Sequence, residues 1–413
     1  MNEYLFLISG SLVVVLSYLF SELFKRTNIP SVIMLISTGM VVNYIMHLYA
    51  VDGFNFFPYL QVLGVVGLIM IVLEGALDLE ISRKKIPLIL QSITVAFLGL
   101  VTAVGIVAVM LHYFLLMIWS EAILYAIPLA VISSAIVIPS LSNLTKNAKE
   151  FLIYESVLSD ILGILLFYYV VYAMDSGSVI TATTIYTGGF VLTIVVSVAI
   201  SIALIVLFRI IKVKAKLFLF LAILVLIYSL GKMLHLSALV LILVFGLILK
   251  NNGLVFRGFM KDWAVPSELK LMERSFHFIT AESSFLLRTF FFFVFGLIIS
   301  LNDLMNLNII IISFFITCFL FMSRWILIKL FAKEHVRPGF FIAPRGLITI
   351  MLYYSIPAVH QSKEFEVGIL LWVILMSGVV MAWGLIGNKV YKWDRFHVED
   401  TESTSDLQES HLS

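Results

Sequence analysis

Residues Glu155–Phe167 read ESVLSDILGILLF and open an apolar run that continues to Met174. Two carboxylates, Glu155 and Asp160, thus lie in a segment of about twenty residues, the length a helix needs to cross about 30 Å of hydrocarbon. An aspartate at the centre of a membrane helix costs about 2.5–3.5 kcal/mol on insertion scales, so one that is kept marks a site more than a packing detail. Glu155 and Ser159 are i, i+4 neighbours, as are Ser156 and Asp160, and Gly163 leaves room one turn beyond the aspartate. The serines alone read equally well as side chains bonded to the preceding turn. The aspartate does not.

The surrounding chain has the same character. Of 413 residues, 62% are apolar and 13% charged, against about 45–50% and about 25% in soluble domains. An integral membrane protein is expected, all-α and without a soluble ATPase or redox module. A net charge of +2 with no basic cluster gives no arm for nucleic acid. The one cysteine, Cys318, lies in an apolar run and provides no disulfide framework or metal-ligand spacing. No nucleophile–base pair or cofactor motif stands out, so neither an enzyme nor a bound cofactor is expected. The first apolar segment follows MNE without a positive n-region or a small-residue cleavage site, and reads as a span, not a removed leader.

Thirteen runs are long enough to be spans: 4–23, 29–49, 59–79, 86–112, 121–141, 153–174, 180–208, 217–234, 236–250, 276–299, 305–329, 341–358 and 365–388. Lys and Arg collect after the odd-numbered spans, as at Arg83, Lys84 and Lys85 or at Arg209, Lys212 and Lys214. The positive-inside rule then puts the N-terminus outside and the C-terminus in the cytoplasm. Residues 1–391 form one transmembrane domain, and 392–413 read as a polar cytoplasmic tail without fixed structure.

A rise of 1.5 Å per residue converts position into depth. Asp160, Arg288 of span ten, and Ser133 and Ser134 of span five come out near mid-membrane. Glu155, Glu74, Arg345 and Glu282 share a second layer nearer the cytoplasm, where an arginine among carboxylates can pair bidentately. Span five reads AIPLAVISSAIVIPSLSNL and span twelve FIAPRGLITIMLYYSIP, each broken by Pro and the latter also by Gly. Such breaks are tolerated in a membrane only where the freed backbone is buried in protein or lines a wet cavity. Two interrupted spans, seven apart and so oppositely directed, point to a transporter's central site.

These residues together resemble the monovalent cation/proton antiporters, in particular the bacterial sodium/proton exchangers. IPSVIMLISTGMVV, VVGLIMIVLEGALDLEI, ESVLSDILGILLF, LLRTFFFFVFGL and PRGLITIMLYY follow the family's order over about residues 5–390. The resemblance implies about thirteen helices in inverted repeats, two crossing discontinuous helices (spans 5 and 12), and a homodimer in a bacterial inner or plasma membrane. It implies that Asp160 binds Na⁺ (or Li⁺ or K⁺) in exchange for H⁺. Ser156, Ser159, Ser133, Ser134 and Glu74 would support it, and Glu155 would pair with Arg345 as a brace. Arg288 and Glu282 would modulate the site, with a permanent Arg288–Asp160 pair as the arrangement that leaves no room for a cation.

This chain departs from the family pattern in two places. Ser159 stands where an Asn or Asp precedes the aspartate, and SSAIVIP replaces Thr-Asp-Pro in span five. One carboxylate then carries one proton or one cation, and exchange is expected to be electroneutral. A K⁺/H⁺ antiporter or K⁺ efflux system, a sodium-coupled organic-anion symporter and a non-transporting sensor are the competing readings.

Overall fold

The computed structural model of the chain describes residues 3–27, 30–49, 56–141, 144–177, 179–210, 217–233, 238–251, 266–299, 305–333 and 339–386. The tail expected over 392–413 and the junction between the eighth and ninth apolar runs lie outside these residues. Among the described residues the chain is helical and has no strand, because helices satisfy their own backbone where no water can.

In chain order the helices are α1 (Glu3–Thr27), α2 (Ser31–Leu48), α3 (Phe57–Asp78), α4 (Ile86–Phe114), α5 (Trp119–Ala130), α6 (Ser134–Ser140), α7 (Lys146–Ser176) and α8 (Val179–Ile210). They continue as α9 (Leu217–Met233), α10 (Ala238–Lys250), α11 (Pro266–Ile298), α12 (Leu307–Phe331), α13 (Leu347–Tyr354) and α14 (Val367–Ile386). Eight helical segments among the described residues are long and apolar enough to cross a membrane, with shorter apolar helices over Gly10–Phe24, Leu192–Leu204 and Ala238–Lys250. The chain is an integral membrane protein.

Local sequence explains the helix ends. Pro58 and Pro87 stand in the first turns of α3 and α4, where a missing N–H costs nothing. Gly177, at φ 63°, stops α7. The Asn306 side chain accepts the Asn308 N–H at the start of α12. Helices α7 and α11 start at Lys146 and Pro266, earlier than the apolar runs at 153 and 276. Hydropathy marks the edge of the hydrocarbon, and the helix continues past it.

The helices sort into two groups. In one, α11 lies against α1, α2 and α3, and α10 against α3, α8 and α9; in the other, α4 lies against α5, α7 and α12, while α7 also packs on α5 and α6 and α13 on α5. The groups meet where α7 packs on α8 and where α3 touches α6, α7 and α13. Within the first group, α2 and α11 touch backbone to backbone. A Cβ at Gly39 would overlap the Phe293 carbonyl oxygen, and one at Gly296 the Ile36 carbonyl oxygen, the small-residue contact by which membrane helices approach closely. Gly39→Ala should therefore lower stability by about 1–3 kcal/mol, read as an earlier thermal transition in detergent. Gly10→Ala, with nothing within 4 Å of the added methyl, should leave that transition in place.

Candidate functional site

Helix α5 ends at Ala130, Val131 and Ser133 are extended, and α6 begins at Ser134. Buried N–H groups freed by such a break need partners, and those of Ile132, Ser133 and Ser134 have them. The Ile132 N–H donates to Ser159 Oγ at 3.0 Å, the Ser133 N–H to the Pro344 carbonyl at 2.9 Å, and the Ser134 N–H to Asp160 Oδ2 at 3.0 Å. The first and third acceptors come from one turn of α7. The second comes from residues 342–346, which are not helical and lead into α13. Gly163 permits the approach, since a Cβ there would overlap Val131 Cγ2.

The short hydroxyl of Ser159 thus reaches the unwound backbone. Ser159→Ala would leave the Ile132 N–H buried and unpaired, a loss of about 1–3 kcal/mol. It should appear as a lower denaturation midpoint, and an unchanged midpoint would show that water takes over the bond.

The carbonyl side of the break is held by arginine. Arg345 donates through Nε to the Leu129 carbonyl at 3.1 Å, through Nη2 to Ala130 at 3.5 Å and through Nη1 to Ala343 at 2.6 Å. Its charge lies at the C-terminal end of α5, where a cation is favoured. Its own N–H donates to Ser377 Oγ at 3.0 Å.

The expected brace between Glu155 and Arg345 is not formed. Glu155 pairs bidentately with Arg324 of α12, at 2.6 and 2.9 Å. Arg324 also donates to the carbonyls of Gly339 at 2.8 Å and Ile342 at 3.1 Å. Equal depth brings two groups to one level but does not turn them toward each other. Arg345, in the non-helical stretch 342–346, points to the broken helix instead. Sequence reasoning missed Arg324 although its signal was plain: an arginine two turns into the second half of an otherwise apolar run, FMSRWILIKLF.

The structure places three more of the expected residues. Arg288 lies 3.7 Å from Glu74 Oε1 and donates to the Ala135 carbonyl at 3.1 Å, so it bridges α11, α3 and α6 and is not the partner of Asp160. Glu282 is exposed on α11 and accepts from the Tyr18 hydroxyl of α1 at 3.2 Å, away from the break; its depth matched the inner layer but its face did not. The Ser156 hydroxyl turns back to the Ile153 carbonyl at 3.3 Å. Beyond Glu74, one row of α11 carries Ser284, Thr280 and His277, and His277 Nε2 lies 2.9 Å from Asp78 Oδ1.

Asp160 is 3% exposed and Ser133 1%. Among the described residues, Asp160 Oδ1, Ser133 Oγ, Thr280 Oγ1 and Ser284 Oγ are buried without a hydrogen-bond partner. Two of these four atoms flank the break, and all are hard oxygen donors of the kind a small monovalent cation accepts.

A span broken beside a buried carboxylate, as between α5 and α6, is the kind of feature that points to a secondary transporter's site. The chain belongs to the family of transmembrane sodium/hydrogen exchangers, whose model matches residues 11–386. In fold it is similar to the sodium proton antiporter MjNhaP1 from Methanocaldococcus jannaschii. A structure of that protein at pH 8 shares 18% identity at a TM-score of 0.70, over 92% of this chain and 100% of the other. An electron-microscopy structure of the same antiporter gives 18% identity and a TM-score of 0.68, over 95% and 97% of the two chains. A search of curated proteins by sequence returned no match.

Proposed function

We propose that the chain exchanges a monovalent cation, Na⁺ or Li⁺, for H⁺ by alternating access, with Asp160 holding either ion in turn. The observation that carries this reading is the Asp160 carboxylate itself. One oxygen is committed to the Ser134 N–H and the other, Oδ1, is buried with no partner. Ser133 Oγ, also buried without a partner, would supply a second oxygen to a desolvated cation. A proton on Oδ1 is the alternative occupant, and one carboxylate does not hold both.

The fold in this reading has thirteen spans in inverted repeats, with the breaks of spans five and twelve crossing at the Ser133–Pro344 contact. Its N-terminus is outside and its C-terminus in the cytoplasm of a bacterial inner or plasma membrane, and the working unit is a homodimer. Movement of the group holding α5, α6, α7 and α13 past α3 and α11 exposes Asp160 to one side and then the other. Arg288, which contacts both groups, is the natural place for that motion to be felt. With Ser159 in place of a second carboxylate, exchange is electroneutral, one cation for one proton.

Potassium is the second reading, supported by a break that offers hydroxyls and no second carboxylate. Reconstituted vesicles with an internal pH dye, challenged in turn with Na⁺, Li⁺ and K⁺, test both. Proton flux with Na⁺ or Li⁺ supports the first reading, flux with K⁺ alone the second, and flux with none overturns the proposal. A flux that responds to membrane voltage at matched gradients would overturn the one-for-one stoichiometry.

A further inference from the structure

Helices α12 and α14 touch near their N-terminal ends, where Ser313 Oγ donates to the Ile369 carbonyl at 3.4 Å and Thr317 Oγ1 lies 4.0 Å from Met376 Sδ. A groove of about 860 Å³, lined from Phe314 onward, lies between them. It is lined by Met322 and Trp325 of α12, Val379 and Trp383 of α14, and Phe341. Of its lining, Phe314, Met322, Val379 and Trp383 are exposed, as are Phe315, Phe319 and Ile326 on the same helix as Phe314, so the groove faces hydrocarbon.

The end toward the C-terminus of α12 is basic. Lys329 Nζ lies 4.7 Å from the centroid of the Trp325 ring, a cation–π contact that holds the ammonium beside the groove. Lys333 is exposed one turn further on. An occupant suited to both features is long and apolar with an anionic end. We propose that the groove binds an acyl chain of an anionic phospholipid from the bilayer, with the headgroup phosphate at Lys329.

The other candidate occupants fit less well. A second copy of the chain would set one concave groove against another across a two-fold axis and leave both unfilled. The chain's own terminal residues 392–413, KWDRFHVEDTESTSDLQESHLS, are too polar for an aromatic trough.

The position gives the lipid leverage. Phe341 directly precedes the unwound residues 342–346, and its ring centroid lies 6.3 Å from that of Trp383. Arg324 grips the backbone on both sides of it, at Gly339 and Ile342. A chain in the groove therefore bears on the segment that carries Arg345 to the broken helix.

Cys318, the one cysteine of the sequence, lines the groove and is exposed, which makes it a reporter. The purified full-length chain, stripped of lipid in detergent, would be titrated with phosphatidylglycerol and with phosphatidylcholine of identical acyl chains. Native mass spectrometry counts retained lipid, and maleimide alkylation of Cys318 reports coverage. Phosphatidylglycerol should bind about fivefold more tightly, the effect of one interfacial lysine, and should slow alkylation. Lys329→Gln should erase the preference between the two lipids. Val379→Trp, at a position 60% exposed, should fill the trough and lower retention of both. Equal retention of the two lipids by the unaltered chain would overturn the proposal, as would retention unchanged in Val379→Trp. Protection of Cys318 that rises with protein concentration in the absence of lipid would assign the groove to a second copy instead.

Discussion

Asp160→Asn reduces cation-driven proton flux to that of protein-free vesicles while the protein remains folded: this is the largest effect expected on activity. Asparagine keeps an oxygen for the Ser134 N–H, which Asp160 Oδ2 accepts at 3.0 Å, so the turn of α7 against the break is preserved. What is lost is the ability to trade a proton for a cation, because the amide neither releases a proton nor carries charge. A buried carboxylate near mid-membrane costs about 2.5–3.5 kcal/mol to maintain. The variant should therefore melt in detergent at or above the temperature of the unaltered protein. The check is a pH-dye assay and a thermal transition on the same preparation. Flux retained in Asp160→Asn and lost in Glu74→Gln would move the exchanging carboxylate to α3, where Glu74 lies 3.7 Å from Arg288.

Some of this was legible in the sequence because it depends on position along one helix. An aspartate in an apolar run, a serine pair bracketed by prolines and a Pro-Arg-Gly step each announce themselves without knowledge of their neighbours. The non-helical stretches at 131–133 and 342–346 lie where those signals put interruptions. What was illegible depends on rotation about a helix axis. Depth placed Glu155, Arg345, Glu282 and Glu74 in one layer, yet these residues face different directions. Glu155 meets α12, Arg345 meets the carbonyls of α5, Glu282 faces outward to Tyr18, and Glu74 meets Arg288. Ser159 is the instructive case. As a sequence feature it looked like a missing ligand. Beside the break it is the acceptor of the Ile132 N–H, a role that exists only once the unwound backbone has been located.

The ion pair of Glu155 and Arg324 should be the most sensitive point for stability. Both groups are buried, at 1% and 7% exposure, and each oxygen of Glu155 faces one guanidinium nitrogen of Arg324. Removing one member leaves a buried charge without its counter-charge, at a cost of about 3–5 kcal/mol. Arg324→Ala also frees the carbonyls of Gly339 and Ile342, so its loss should be at the upper end of that range. Glu155→Gln keeps the shape of the side chain and should fall at the lower end. Replacing both by apolar residues, Glu155→Leu with Arg324→Met, removes both charges at once and should recover the part of the loss due to the unpaired charge, while the carbonyls of Gly339 and Ile342 stay without their donor. A double-mutant cycle on denaturation midpoints in detergent measures the coupling directly. The geometry requires a large coupling for Glu155 with Arg324 and a smaller one for Glu155 with Arg345, whose guanidinium is spent on backbone carbonyls. The reverse order would restore the brace that depth alone suggested. It would also mean that α12, through Arg324, does not anchor the chain on either side of Phe340 and Phe341.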